Sequence, residues 1–168
     1  MIDLRDYTSL LTQSVGRLGV CAVYAISAAT TNLIKIGYSE TIRSRFSGLQ
    51  TDSPVELSLD YVLWCPDKNV AKIVEEACHN NLSKRRIRGE WFDISLQDAI
   101  TAIEANSSRL YPKKEFYTHT EFVQKYTPIS KKIAESVERR ADEMKIRALR
   151  GSLGYQIQRG GYLARIRI

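Results

Sequence analysis

Two strand-like segments joined by a four-residue connection constrain this chain more than any other feature. VCAVYAIS (20–27) and NLIKIGYS (32–39) are rich in residues that suit strands, and AATT (28–31) between them reads as a turn. The arrangement predicts a β-hairpin whose second strand is closed by Gly37. Ser39 is suited to cap a helix over 40–50, where Ile42, Phe46 and Leu49 follow an i, i+4, i+7 spacing, and Ser53-Pro54 ends it. In LSLDYVLWC (57–65) a period of two puts Leu57, Leu59, Tyr61, Leu63 and Cys65 on one face. Pro66-Asp67 opens the strongest helical stripe in the chain: Val70, Ile73, Val74, Ala77, Cys78 and Leu82. A basic loop, SKRRIRG (83–89), leads to a short strand, EWFDI (90–94). Ser95 with Asp98 then has the form of a capping box before Leu96, Ala99, Ile100 and Ile103. The order β-β-α-β-α-β-α predicts an α+β fold, a small mixed or antiparallel sheet flanked by helices.

The expected organisation is a lead-in over 1–19, a short helix and turn ended by Gly16 and Gly19, followed by a domain over 20–110 and an extension over 111–168. Pro112 and KKE (113–115) mark the second boundary. In the extension, Ser130 is placed to cap a charged helix over about 130–150 that Gly151 ends. Gly160-Gly161 is a two-residue hairpin turn that pairs Arg159 with Tyr162. That register separates a Tyr/Ile face from a Gln/Arg face carrying Arg165 and Arg167.

Charge follows the same division. Residues 1–112 hold 12 Lys+Arg and 13 Asp+Glu, whereas residues 113–168 hold 13 and 6, so the net +6 resides in the last third. A near-neutral body with a basic extension suits a nucleic-acid partner, and a solvated charged helix is the plainer alternative. Hydrophobic residues at 43% and charged residues at 26% argue against disorder of the whole chain. No apolar run is long enough to span a membrane. Acidic residues stand near the N-terminus where a signal peptide carries basic ones, so a cytoplasmic location is expected. Cys21, Cys65 and Cys78 form no CxxC pair and read as reduced, buried thiols rather than a zinc site.

Several side chains carry chemistry. With a symmetric 28–31 turn, Tyr24 falls opposite Lys35 on one face, where the cation favours a phenolate able to take a proton from water; a packed ring beside a surface lysine is the alternative. Arg45, at the edge of the 40–50 stripe, is suited to a phosphate, or is an ordinary snorkelling arginine. Glu75 and His79 lie one turn apart. A carboxylate at the rim of a core can hold a hard divalent cation, Mg²⁺ or Mn²⁺, with His79 assisting or contacting phosphate; surface charge is the alternative for both. Arg43, Lys84, Arg85, Arg86, Arg88, Arg159, Arg165 and Arg167 are candidates for backbone contacts to nucleic acid.

Taken in order, VYAIS (23–27), LIKIGYS (33–39), RFSGLQTDSP (45–54), VEEACHNNL (74–82) and GEWFDI (89–94) resemble the GIY-YIG endonuclease superfamily, in its phage-type subgroup with a KIG second triad. The resemblance spans about residues 20–105. It implies a DNA endonuclease that hydrolyses phosphodiester bonds with one divalent metal and no small-molecule cofactor. It further implies Tyr24 as base or activator of the attacking water and Lys35 in place of a second tyrosine. Arg45 would steady the scissile phosphate, Glu75 would hold the metal, and His79 matches a histidine that relatives carry after the glutamate. The first triad departs from the pattern, reading Val23-Tyr24-Ala25, and no asparagine stands near the last strand. Two other readings stand beside this one: a non-cleaving nucleic-acid-binding or regulatory protein of the same fold, and an extension used for homodimerisation.

Overall fold

A computed structural model describes Ile2, residues 15–16 and residues 18–163, with side chains placed through residue 148 except at 129, 130 and 133. The chain divides into two units, Met1–Pro128 and Ile129–Ile168. The first unit is built on a six-stranded antiparallel sheet. Its elements are β1 (Cys21–Ala28), β2 (Leu33–Ser39), α1 (Ile42–Asp52), β3 (Leu57–Cys65), α2 (Lys68–Asn81), β4 (Arg86–Arg88), β5 (Trp91–Asp93), α3 (Leu96–Leu110) and β6 (Tyr117–Thr118). The strand order is β4-β5-β2-β1-β3-β6. The α+β class and the expected succession of elements are observed, with two short strands added. Of the basic loop, residues 83–85 form a 3₁₀ turn and 86–88 form β4. Arg-Ile-Arg offers no periodicity from which a strand is read.

β1 lies near the middle of the sheet and is buried on both sides, which is why its sequence is continuously apolar. One face joins Ala22, Tyr24 and Ile26 to Ile42 of α1, Leu57, Leu59, Val62 and Trp64. The other joins Cys21, Val23 and Ala25 to Val70, Val74 and Cys78 of α2 and to Ala99 and Ile103 of α3. All three cysteines are buried and free, as expected.

β3 corrects the simple alternation. Leu57 and Leu59 belong to the first face, whereas Leu63 and Cys65 belong to the second. The register slips between Ala25 and Ile26, which pair with Tyr61 and Leu59. Asp60 is the extra residue of this bulge. Its carboxylate accepts from the Ser27 N–H at 3.1 Å, the Ser27 hydroxyl at 2.6 Å and the Ser58 hydroxyl at 2.7 Å.

The caps of α1, α2 and α3 follow sequence with one exception. Asp67 accepts from the Val70 N–H at 2.8 Å, and Ser95 with Asp98 forms the complete capping box. Before α1, Thr41 rather than Ser39 is the N-cap; the Ser39 hydroxyl instead accepts from the Thr41 N–H at 3.0 Å. Most of the 1–19 lead-in lies outside the described residues. Gly16 is helical, and Gly19, at φ +68°, closes a helical turn by donating to the Val15 carbonyl at 3.1 Å.

The extension differs from expectation. A single helix, α4 (His119–Leu163), runs through Pro128, Gly151 and Gly160-Gly161, so neither the start at Ser130 nor the hairpin is present. Its start has a signal in the sequence: Thr118 and Glu121 are spaced as a capping box, and the Glu121 carboxylate accepts from the Thr118 N–H at 2.8 Å. Glycine in a helix costs about 1 kcal/mol relative to alanine. An isolated two-stranded hairpin is marginal in water, so a helix already propagating past Gly151 outcompetes it. Arg159 therefore stands on a helix, and Arg165 and Arg167 lie outside the described residues. Among the described residues, no helix is long and apolar enough to cross a membrane.

Candidate active site

The central pair of strands sets the geometry. β1 and β2 pair Tyr24 with Gly37 and Ile26 with Lys35, rather than Tyr24 with Lys35. The connection is 29–32, one residue later than the sequence suggests, with Thr30 in the left-handed region at φ +67°. Moving the turn by one residue shifts the register by two, which leaves every side chain on its expected face. Tyr24 and Lys35 thus share a face without being directly opposite.

Tyr24 is fully buried, and its ring lies across the backbone of Gly37. A Cβ at position 37 would stand 2.6 Å from the Tyr24 hydroxyl and 2.8 Å from Cζ. Real Cβ atoms do not approach that closely, so Gly37 is what lets the phenol lie where it does. Gly37→Ala is expected to displace the Tyr24 hydroxyl and destabilise the sheet by about 1–3 kcal/mol, as overpacked cores do. The change would appear in the melting temperature and in Tyr24 ring resonances; an alanine variant with both unmoved would remove this role from Gly37.

From α1, the Arg45 Nε–H donates to the Tyr24 hydroxyl at 3.4 Å, while the rest of its side chain is exposed. Arg43 is exposed on the same helix. Burial raises the Tyr24 pKa, and the neighbouring Arg45 offsets this only in part. The expected phenolate beside Lys35 is therefore overturned. Lys35 is buried, its ammonium is bonded to the Glu90 carboxylate, and it lies 5.9 Å from the Trp91 ring centroid. Its charge is matched by Glu90, and burial keeps Tyr24 a phenol.

Glu75 projects from α2 and is 6% exposed. Burial, then the negative charges of Glu90 and Glu76, push its pKa up to about 7, with Lys35 and Arg86 opposing. Glu76 is exposed. His79 Nε2 lies 2.9 Å from the Ile36 carbonyl and 3.4 Å from Glu75 Oε1. Donation to the carbonyl assigns the proton to Nε2. Burial lowers the His79 pKa, so the ring is neutral at pH 7 and its contact with Glu75 is not an ion pair.

Glu90 is the site residue that sequence reasoning missed. Gly89, at φ +57°, turns the chain ahead of it, and the Ile36 N–H donates to its carbonyl at 3.1 Å. This bond carries the β2–β5 pairing one residue further and brings the Glu90 carboxylate to Lys35. A glutamate between a turn glycine and a short aromatic strand was the available signal.

The remaining basic candidates divide. Lys84, Arg85, Arg86 and Arg88 are all exposed. Arg85 Nε donates to the Asp93 carbonyl at 2.8 Å, and the Arg86 guanidinium lies 5.4 Å from the Phe92 ring centroid. Arg86 also acts electrostatically on both Glu75 and His79. Tyr24, Lys35, Arg45, Glu75, His79 and Glu90 therefore form one connected group, with Arg86 at its margin.

Among the described residues, no three His, Cys, Asp or Glu side chains are grouped as a metal cage. Mg²⁺ does not require one. It retains waters and is commonly held by one or two carboxylates together with substrate phosphates. A buried carboxylate under like-charge repulsion, with Glu90 near it, is an oxygen donor set that fits such an ion.

A family model described as the T5orf172 domain matches residues 20–107. That stretch contains all six residues of the group and excludes α4. No curated protein and no solved structure matches the chain.

Proposed function

The chain belongs to the T5orf172 domain family, a phage-associated and nuclease-related domain, and from that premise we propose that it is a divalent-metal-dependent DNA endonuclease of the GIY-YIG type. The observation that carries this reading is the meeting of the Tyr24 hydroxyl, held over Gly37, with the Arg45 guanidinium, in the same group as the buried carboxylate of Glu75. A phosphodiester needs a cation at its non-bridging oxygens, a group to orient water, and a site for a metal.

In this mechanism the Arg45 Nε–H stays on the phenol while its terminal amino groups take the scissile phosphate. The Tyr24 hydroxyl orients the attacking water as a neutral phenol, its pKa being raised, so the water's proton passes to a phosphate oxygen of the substrate and on to the leaving oxygen rather than to Tyr24. Glu75 would hold Mg²⁺ or Mn²⁺, and the bound ion would supply Lewis-acid charge to a phosphate oxygen. His79, tied to the Ile36 carbonyl, packs beside the Glu75 carboxylate and limits its movement by contact. Glu90 balances Lys35, so that the cation is held in place rather than left to fold back on the substrate. The exposed Arg43, Lys84, Arg86 and Arg88 supply flanking phosphate contacts.

The direct test is incubation of the full chain with supercoiled plasmid, with and without Mg²⁺ or Mn²⁺. Nicked or linear product that depends on the metal is the expected result. DNA retarded in a gel but left intact under every metal condition would favour a non-cleaving binding protein.

A further inference from the structure

The row of side chains that holds Tyr24 and Lys35 continues into a groove. Trp91 is directly opposite Lys35 in the β2–β5 pairing, and Leu33 precedes Lys35 by two residues, about 7 Å along the same face. Past this point Leu33, Val55, Leu57, Ile87, Arg88 and Trp91 line a groove of about 330 Å³. Its walls are mainly aliphatic and aromatic, with Thr31 and Ser53 among them; Arg88 is the charged side chain, and no acidic residue lines it. Ile87 is 62% exposed, which is unusual for a large aliphatic residue in a strand flanked by two arginines. Of the neighbouring cations, Arg88 pairs with Trp91 and lines the groove, whereas Arg86 lies over Phe92 and Arg85 reaches the Asp93 carbonyl, both away from it.

The shape and charge together restrict the occupant. The volume is at the small end of ligand sites and suits one planar ring rather than a duplex. Apolar walls with a tryptophan suit an uncharged aromatic face, and Arg88 at their edge suits an anion attached to that ring. A nucleotide has both, and stacking on aromatic side chains is the usual way that proteins hold unpaired bases. We propose that this groove holds one unstacked nucleobase of the substrate strand, beside the scissile phosphate. The base stacks on Trp91 and against Ile87, and Arg88 meets the adjoining phosphate. The proposal rests on the nuclease reading and adds a requirement to it: the chain engages a base that is out of its duplex stack.

The experiment compares two short strands of equal length and charge, an oligothymidylate and an abasic strand, each titrated with the full chain in EDTA so that neither is cut. Fluorescence anisotropy gives the affinity, and tryptophan emission reports stacking. The oligothymidylate is expected to bind about tenfold more tightly and to quench emission. Trp91→Leu and Ile87→Ser should each bring the two affinities together, with the salt dependence of binding unchanged. Trp91→Phe, which retains a ring, should keep most of the difference. Ile87→Ser alters an exposed residue and tests the groove even if Trp91→Leu fails to fold. Equal binding of both strands by the unaltered chain overturns the groove proposal while leaving the nuclease reading in place; an apolar peptide as true occupant gives that result. Failure to bind either strand also overturns the groove proposal, and cleavage of plasmid with Mg²⁺ then decides the nuclease reading separately.

Discussion

Glu75→Gln is expected to abolish metal-dependent cleavage and, in the absence of divalent cations, to make the protein more stable. The two effects have one cause. Glu75 is buried beside Glu90, so its carboxylate is penalised by desolvation and by like charge, and its pKa stands at about 7 against 4.5 for a free glutamate. A group whose folded pKa is raised binds more protons in the native state than in the unfolded one. The stability contributed by protonated Glu75 is therefore fully present below about pH 4.5 and lost as the pH rises through about 7. The cost above pH 8 is on the order of 2–3 kcal/mol for a shift of this size. Glutamine keeps the shape of the protonated form and never bears the charge. In EDTA the variant should melt higher than the unaltered chain at pH 8 and at nearly the same temperature at pH 4.5.

Function would reverse the order. A divalent cation binds the charged carboxylate, so Mg²⁺ should raise the melting temperature of the unaltered chain and leave that of Glu75→Gln unmoved. Cleavage of plasmid by the variant should be undetectable, while Glu76→Gln, an exposed neighbour, should cut normally. Retained cleavage in Glu75→Gln, or equal stabilisation of both proteins by Mg²⁺, would remove the metal from Glu75. Those outcomes together would make the site a stability–activity trade-off, a buried charge that weakens the free fold and gains from the ion it holds.

How much of this was legible depends on the range over which each signal acts. The faces of β1 and β2, the cap at Ser95 and the stripe of α2 are local and followed from spacing, apart from Ile73, which is exposed while Ala71 is buried. The Tyr24–Gly37 contact was legible only as a glycine in a strand, because its cause is a ring on the neighbouring strand. The β3 bulge was hidden because its determinant, Asp60, acts through Ser27, 33 residues away. Lys35 was assigned to the wrong partner for the same reason: Glu90 is 55 residues distant, and a turn at Gly89 must form before the two meet. The hairpin in the extension failed for a different reason. Gly160-Gly161 is a valid turn signal, but a turn needs strands with something to pack against, and a helix already under way needs only to tolerate the glycines at 151, 154, 160 and 161.

Tyr24→Phe should lower the cleavage rate by about 10²-fold, the scale on which a misplaced attacking water costs rate, with little cost to the fold. The ring lies in a fully buried slot over Gly37 that phenylalanine fills equally well. The hydroxyl has one hydrogen-bond donor, Arg45, which is exposed and can turn to water when its partner is removed. The stability change is thus expected to be under about 1 kcal/mol. Rate and stability are separable here, which makes this variant more informative than alanine, whose cavity would unsettle the whole β1–β2 face. The pH profile gives a second readout. Burial holds the Tyr24 pKa above the ordinary value near 10, so an activity that rises near pH 7 reports Glu75 and not ionisation of the phenol. A Phe variant that retained a low residual rate with the same inflection would place Tyr24 in orienting water. Cleavage at the full rate by Tyr24→Phe would show that the hydroxyl plays no part in the chemistry, and that the Arg45 contact serves only to position the guanidinium.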